Sequence, residues 1–146
     1  MSRRFVTMVQ IIAGIKGKGK TKRLLDMANA AVKDARGTVV YLDKSSKHMY
    51  ELSNKIRLVN VSEYDIMSGD GFLGFISGII SQDHDLETVF LDSFLKLSNM
   101  EGGDLTPVID ALEKMGEKYK VNFILSVSMD ASELPENAKK DVIAAL

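Results

Sequence analysis

The sequence contains no cysteine and only two histidines, His48 and His84. The lack of cysteine excludes disulfide bridges, thiolate zinc sites and cysteine nucleophiles, and it is typical of a reducing compartment such as the cytoplasm. Two histidines alone argue against a histidine-rich metal site. Prolines are also scarce, and we find no proline-rich linker and no internal repeat. The 146 residues therefore predict a single domain over residues 1–146.

Long apolar runs are missing as well. No stretch approaches the roughly 18 consecutive apolar residues that a membrane span requires. Residues 1–12 loosely resemble a signal peptide, because Arg3 and Arg4 precede an apolar run. Gln10 interrupts that run and no small-residue cleavage site follows it, so we expect no signal peptide. The sequence therefore predicts a cytoplasmic protein with no membrane partner.

Positive charge is concentrated in the first half of the chain. The formal net charge is only −1 at pH 7. Residues 1–73 contain 13 lysines and arginines against 7 acidic residues, whereas residues 74–146 contain 6 against 13. Such a split predicts that one side of the molecule meets an anion.

Short apolar segments alternate with amphipathic segments along the chain. The strands that this pattern predicts are residues 8–13, 38–43, 88–92 and 121–128. The predicted helices are residues 20–36, 70–81, 107–119 with Thr106 as N-cap, and a closing helix over 132–146 with Ala138, Val142, Ala145 and Leu146 inward. Because the strands are short and apolar, we predict an α/β fold, a three-layer α/β/α sandwich with a mainly parallel sheet.

Residues 47–60 allow two interpretations. The segments 48–52 and 56–59 flank Ser53-Asn54, a turn pair, which would give a hairpin. Residues 55–60 alone would instead form one more parallel strand. The sequence leaves both open.

The most specific motif runs from Gly14 to Thr21 and reads Gly-Ile-Lys-Gly-Lys-Gly-Lys-Thr. It satisfies G-x-x-x-x-G-K-[ST] at every fixed position, between a predicted strand and a predicted helix. Glycines let successive backbone N–H groups curl around phosphate oxygens, and the helix directs its positive end at them. In this chemistry Lys20 reaches the β- and γ-phosphates, and the Thr21 hydroxyl binds Mg²⁺.

Residues 8–21 resemble the Walker A motif of the P-loop nucleoside triphosphatases. The segment 88–92 resembles their Walker B motif, an apolar strand that ends in an acid. The resemblance implies a P-loop NTPase type of fold, ATP as ligand or substrate, and Mg²⁺ as cofactor, held by Thr21 and Asp92. It also implies that the phosphates are bound by Gly14, Ile15, Lys16, Gly17, Lys18, Gly19, Lys20, Thr21 and Lys22.

Three strand ends are similar to those of RecA-like ATPases, so that the resemblance covers residues 5–130. Residues 91–95 resemble an aspartate-serine form of Walker B, and residues 126–128 resemble the strand end that senses the γ-phosphate. Residues 41–43 lie where that group has its catalytic glutamate. The resemblance thus implies Lys20 and Asp43 as catalytic residues.

Two residues depart from the RecA-like pattern. Lys44 stands where an acid would follow Asp43, and Ser93 rather than glutamate follows Asp92. A general base that orients water is therefore not evident, and Asp43 is the best candidate.

The glycine-rich segment is also unusually basic. The signature lysine of the partitioning-type ATPases would fall on Ile15, and Lys16 is out of register by one residue, so we discount that subfamily. Lys16 and Lys18 either add charge around the triphosphate, face a second anion, or are solvated surface lysines.

No arginine follows Arg57, so the second half cannot supply an arginine finger. An arginine-rich lid is also missing, which argues against a nucleoside kinase. The sequence has no Asn-Lys-x-Asp guanine motif, which favours ATP over GTP.

We predict a small RecA-like, Mg²⁺-dependent ATPase with slow hydrolysis. The alternatives are a regulatory switch that binds ATP or ADP without hydrolysis, and a small-molecule kinase.

A second copy of the chain or another protein is compatible with this prediction as a partner. Nucleic acid is disfavoured, because the pI is near 6.1 and basic and aromatic residues are not interleaved.

Overall fold

A computed structural model describes residues 8–146. Residues 1–7, which hold the start of the stretch that resembles a signal peptide, lie outside the described residues. Six parallel strands form one sheet in the order β3-β2-β4-β5-β1-β6. The strands are β1 (Val9–Ala13), β2 (Thr38–Asp43), β3 (Arg57–Asn60), β4 (Leu86–Leu91), β5 (Asn122–Val127) and β6 (Val142–Ala145).

The helices cover both faces of this sheet. They are α1 (Lys20–Asp34), α2 (Gly69–Gln82), α3 (Phe94–Leu97), α4 (Thr106–Tyr119) and α5 (Glu136–Lys139). Neighbouring strand residues belong to different cores: Ile11 packs in one cluster with Phe72 and Leu112, whereas Ile12 packs in another with Leu24. Because side chains alternate across a strand, α2 and α4 lie on one face and α1 on the other. The predicted α/β fold is confirmed, and the arrangement is consistent with three layers.

The closing helix expected over residues 132–146 is wrong. Only α5 is an α-helix there, and residues 142–145 form β6, which pairs with β1. The burial of β6 alternates, with Val142 and Ala144 partly buried and Ile143 and Ala145 exposed. A two-residue period belongs to a strand, and the open edge of β1 supplies the backbone partners.

The two interpretations of residues 47–60 are also resolved. β3 pairs in parallel with β2, so the hairpin alternative is wrong. Residues 49–51 form a 3-10 turn instead of a strand. Among residues 8–146, no helix combines the length and apolar character needed to cross a bilayer.

Two predicted helix ends shift slightly. α1 ends at Asp34 rather than at Arg36. The N-cap of α4 is Leu105, so Thr106 is already helical.

The carboxyl ends of the parallel strands meet at one edge of the sheet. β1 leads there into the glycine-rich segment, β2 ends in Asp43, and β4 is followed by Asp92. β5 lies between β1 and β4 and places Ser126 near the same edge. Clefts outside the carboxyl ends of strands are where open α/β sheets bind ligands.

Candidate functional site

The segment between β1 and α1, residues 14–19, is called the glycine loop below. Gly17 and Gly19 have φ angles of 89° and 83°, a region that residues with a side chain rarely adopt. Gly19 is also the N-cap of α1, and no side chain of residues 8–146 caps this end of the helix. The first N–H groups of α1 are therefore donors without a side-chain acceptor, which is the usual basis of anion binding at a helix start.

Lys20 folds back over the glycine loop. Its Nζ donates a hydrogen bond of 2.9 Å to the carbonyl oxygen of Ile15, and the residue is only 6% exposed. Burial lowers the pKa of Lys20, and the negative charge of Asp92 opposes that shift. An anion bound over the loop would lie beside a lysine that is already partly desolvated.

Asp92 is the centre of a buried group of hydroxyls. Its Oδ1 accepts hydrogen bonds from Thr21 Oγ1 at 3.1 Å and from Ser126 Oγ at 2.9 Å. Its Oδ2 accepts a hydrogen bond of 2.9 Å from the hydroxyl of Tyr41. Ser126 Oγ also accepts from the backbone N–H of Ser93 at 2.8 Å. Donors from α1, β2 and β5 thus fix the orientation of one carboxylate.

Tyr41 was not predicted as a site residue. Burial raises its pKa, and the Asp92 carboxylate adds to that shift. The signal in the sequence was its position two residues before Asp43, because residues two apart share a face of a strand. Tyr41 lies inside β2 rather than at its end, where the sequence predicted site residues.

Asp43 lies beside Asp92 and is buried. The residue is 2% exposed, and its Oδ1 accepts a hydrogen bond of 2.7 Å from the N–H of Lys44. Its Oδ2 is buried and has no hydrogen-bond partner among residues 8–146. Burial raises the pKa of Asp43, and the nearby Asp92 raises it further.

An open cleft of about 380 Å³ lies between the glycine loop and the end of β4. The predicted site residues in its wall are Lys16, Gly17, Gly19, Lys20, Thr21 and Asp92. The side chain of Lys22 instead forms an ion pair with Asp26 on the exposed side of α1, at 2.8 Å. Lys18 lines a shallower groove with Lys22 and Arg23. Gly14, Ile15 and Asp43 lie near the cleft but not in its wall.

Three lysines that the sequence did not assign to the site complete the cleft. Lys44, Lys47 and Lys96 line it together with Lys16 and Lys20. Asp92 and Glu101 are the acidic residues in the same wall. Among the described residues that line the cleft, the charges of five lysines exceed those of two acids, so the cleft is suited to an anion. The missed signals were two lysines shortly after β2, Lys44 and Lys47, and the lysine four residues after Asp92.

No protein-family model and no curated protein sequence matches the chain. Its function must therefore be inferred from the residues of the cleft and their geometry.

Proposed function

We propose that the chain binds Mg²⁺-ATP in this cleft, as a small P-loop protein of RecA-like type that hydrolyses ATP slowly. One observation carries the proposal: the hydroxyl of Thr21 lies 3.1 Å from Oδ1 of Asp92, although 71 residues separate them. The two residues come from separate motifs in the sequence. Their meeting at the glycine loop supports the view that both motifs serve one site.

The phosphates would be bound by the glycine loop. The N–H groups at the start of α1 and the ammonium of Lys20 are donors for phosphate oxygens. Lys16, Lys44 and Lys47 add positive charge to the same wall. This arrangement suits a polyanion such as a triphosphate better than a neutral ligand.

The residues also fit Mg²⁺. Thr21 and Asp92 supply a hydroxyl and a carboxylate, the oxygen ligands that Mg²⁺ prefers. Mg²⁺ would neutralise charge on the phosphate oxygens. Ser126 and Tyr41 would keep the Asp92 carboxylate in place for this task.

Slow hydrolysis is supported by what surrounds the cleft. Asp43, the best sequence candidate for a general base, is buried behind the wall, whereas Glu101 is the second carboxylate in it. No arginine among residues 8–146 lines the cleft. Efficient catalysis requires a group that orients water and positive charge on the γ-phosphate. The set-back position of Asp43 also favours the alternative of a nucleotide-binding switch that hardly hydrolyses.

The test is nucleotide binding by the purified chain. Lys20→Ala should weaken Mg²⁺-ATP binding about tenfold or more, because a charge-assisted hydrogen bond is lost. Lys33→Ala removes a lysine from the exposed last turn of α1 and serves as the matched control. Calorimetric titration of both variants measures the difference. Equal affinity of Lys20→Ala and the unchanged chain would refute the proposal.

Phosphate release then separates the ATPase from the switch. Measurable turnover that is lost in Lys20→Ala would support the ATPase. Binding without turnover above background would support the switch. Comparison of Asp43→Asn with Glu101→Gln would identify which carboxylate orients the water.

A further inference from the structure

We propose a second site, for a divalent transition-metal ion, formed by Asp43, His48 and Asp92. A carboxylate oxygen of each aspartate and a ring nitrogen of His48 all lie within 4.8 Å of one another. Asp43 ends β2, Asp92 follows β4, and His48 lies in the segment that leaves β2. Because β2 and β4 are neighbours in the sheet, the fold brings these donors together.

One oxygen of the Asp43 carboxylate supports a cation at this site. Oδ2 of Asp43 is buried and accepts no hydrogen bond from residues 8–146. A buried carboxylate oxygen normally has a donor or a metal ion beside it. The Asp92 carboxylate next to it adds repulsion rather than a donor, so a cation would stabilise both groups.

His48 carries the partner that metal-binding histidines usually have. Its Nδ1 lies 2.5 Å from Oε2 of Glu51. A carboxylate on one ring nitrogen favours the tautomer that leaves the lone pair on the other nitrogen. An imidazole ligand directs the site toward ions such as Mn²⁺, Co²⁺ or Zn²⁺ and away from Mg²⁺.

Asp92 can serve this site while it keeps its hydrogen bonds. Each carboxylate oxygen has two lone pairs, and Oδ2 uses one to accept from Tyr41. Bond lengths of about 2.1 Å place tetrahedral donors roughly 3.4 Å apart, so His48 and Asp43 would move toward Asp92 by roughly 1 Å. His48 lies in a surface segment and is only partly buried, which leaves room for this movement.

The second site goes beyond the proposed function, and its test uses no nucleotide. The full chain, freed of metal with a chelator and transferred to chelator-free buffer, is titrated with Co²⁺ while its visible absorption is recorded. We expect one Co²⁺ per chain. His48→Gln should weaken binding at least about tenfold, and Glu51→Gln about tenfold, because Glu51 orients the ligand. His84→Gln is the matched control and should bind as the unchanged chain does.

Asp43→Asn should also weaken Co²⁺ binding, with circular dichroism to show that the variant is folded. Equal concentrations of Mg²⁺ should not displace the Co²⁺. Three results would overturn the site: no Co²⁺ bound by the unchanged chain, equal loss in His48→Gln and His84→Gln, or unchanged binding in Asp43→Asn. A Co²⁺ spectrum that survives His48→Gln and disappears in Thr21→Ala would place the ion at the Thr21–Asp92 pair and also refute the site. Because the Co²⁺ titration contains no nucleotide, each of these outcomes can be interpreted even if the chain does not bind ATP.

Discussion

The hydroxyl of Tyr41 donates a hydrogen bond of 2.9 Å to Oδ2 of Asp92, and both residues are buried. Tyr41 lies on β2, next to the strand that leads to Asp92. Its bond occupies the oxygen that faces away from Thr21, so Oδ1 remains directed at the glycine loop. A residue outside the cleft wall thus orients the carboxylate inside it.

Tyr41→Phe should therefore destabilise the protein. The ring can keep its stacking with Phe90, but Asp92 loses one of the three hydroxyl donors that it has among residues 8–146. A hydrogen bond to a charged group contributes about 1.5–3 kcal/mol, and we expect a loss of that order in urea denaturation. Tyr50→Phe, at a residue 92% exposed, is the control and should change stability by less than about 0.5 kcal/mol. Equal effects of the two substitutions would contradict the role of the Tyr41 hydroxyl.

Thr21→Ala should remove the Mg²⁺ dependence of ATP binding. The hydroxyl beside Asp92 is lost, and with it one of two proposed oxygen ligands, so affinity with Mg²⁺ should fall about tenfold. Thr21→Ser keeps the hydroxyl and should retain most of the dependence. Titrations with ATP in Mg²⁺ and in chelator measure the effect. If serine and alanine behave alike, the hydroxyl is not the group that matters.

The stability of the protein should respond to the proton on Lys20. Burial lowers its pKa in the folded chain below the usual 10.5. Between these two pKa values the unfolded chain holds the proton and the folded chain has lost it, so folding gains stability as pH rises. The free energy of unfolding of the unchanged chain should therefore rise relative to that of Lys20→Met as the pH rises toward 10.5. Lys33→Met is the control for the loss of a lysine from α1. A free energy of unfolding of the unchanged chain that falls with pH relative to that of Lys20→Met would contradict the prediction.

Alanine should have opposite effects at two glycines. At Gly19 the φ angle of 83° disfavours a side chain, so Gly19→Ala should cost about 1–2 kcal/mol although no atom of residues 8–146 lies within 4 Å of the added carbon. Gly74 lies inside α2, and no described residue comes within 4 Å of an added carbon there, so Gly74→Ala should stabilise the protein by about 0.5–1 kcal/mol. Thermal denaturation compares the two. A Gly19→Ala variant as stable as the original would show that the loop adopts another backbone.

The alternation of elements was predictable because its signals are local. Apolar runs and helical periodicity identified β1, β2, β4 and β5, as well as the three long helices. β6 was not predictable in the same way, since residues 142–146 are short and their apolar residues also fit a helical face. Their backbone partners are Ile11 to Ala13, about 130 residues away, and only the folded sheet supplies that pairing.

The glycine loop was predictable because its residues are contiguous and lie between a strand and a helix that the sequence also indicates. The positions of Tyr41 and His48 were not, since which residues lie beside Asp92 depends on which strands are neighbours. The sequence also could not predict which lysine side chains point into the cleft. Lys22 pairs with Asp26 one helical turn away, whereas Lys47 and Lys96 converge on the cleft.

The place of β1 in the sheet has a consequence for the order of folding. β1 comes first among the described strands, yet its two neighbours, β5 and β6, come last. Pairing over such long sequence separations is slow, because a long loop must close before any contact forms. During synthesis β1 has no strand to pair with until β5, which begins at Asn122, has left the ribosome. We therefore expect the glycine loop to take its shape late. The proposed phosphate site would then form only after the whole sheet has assembled.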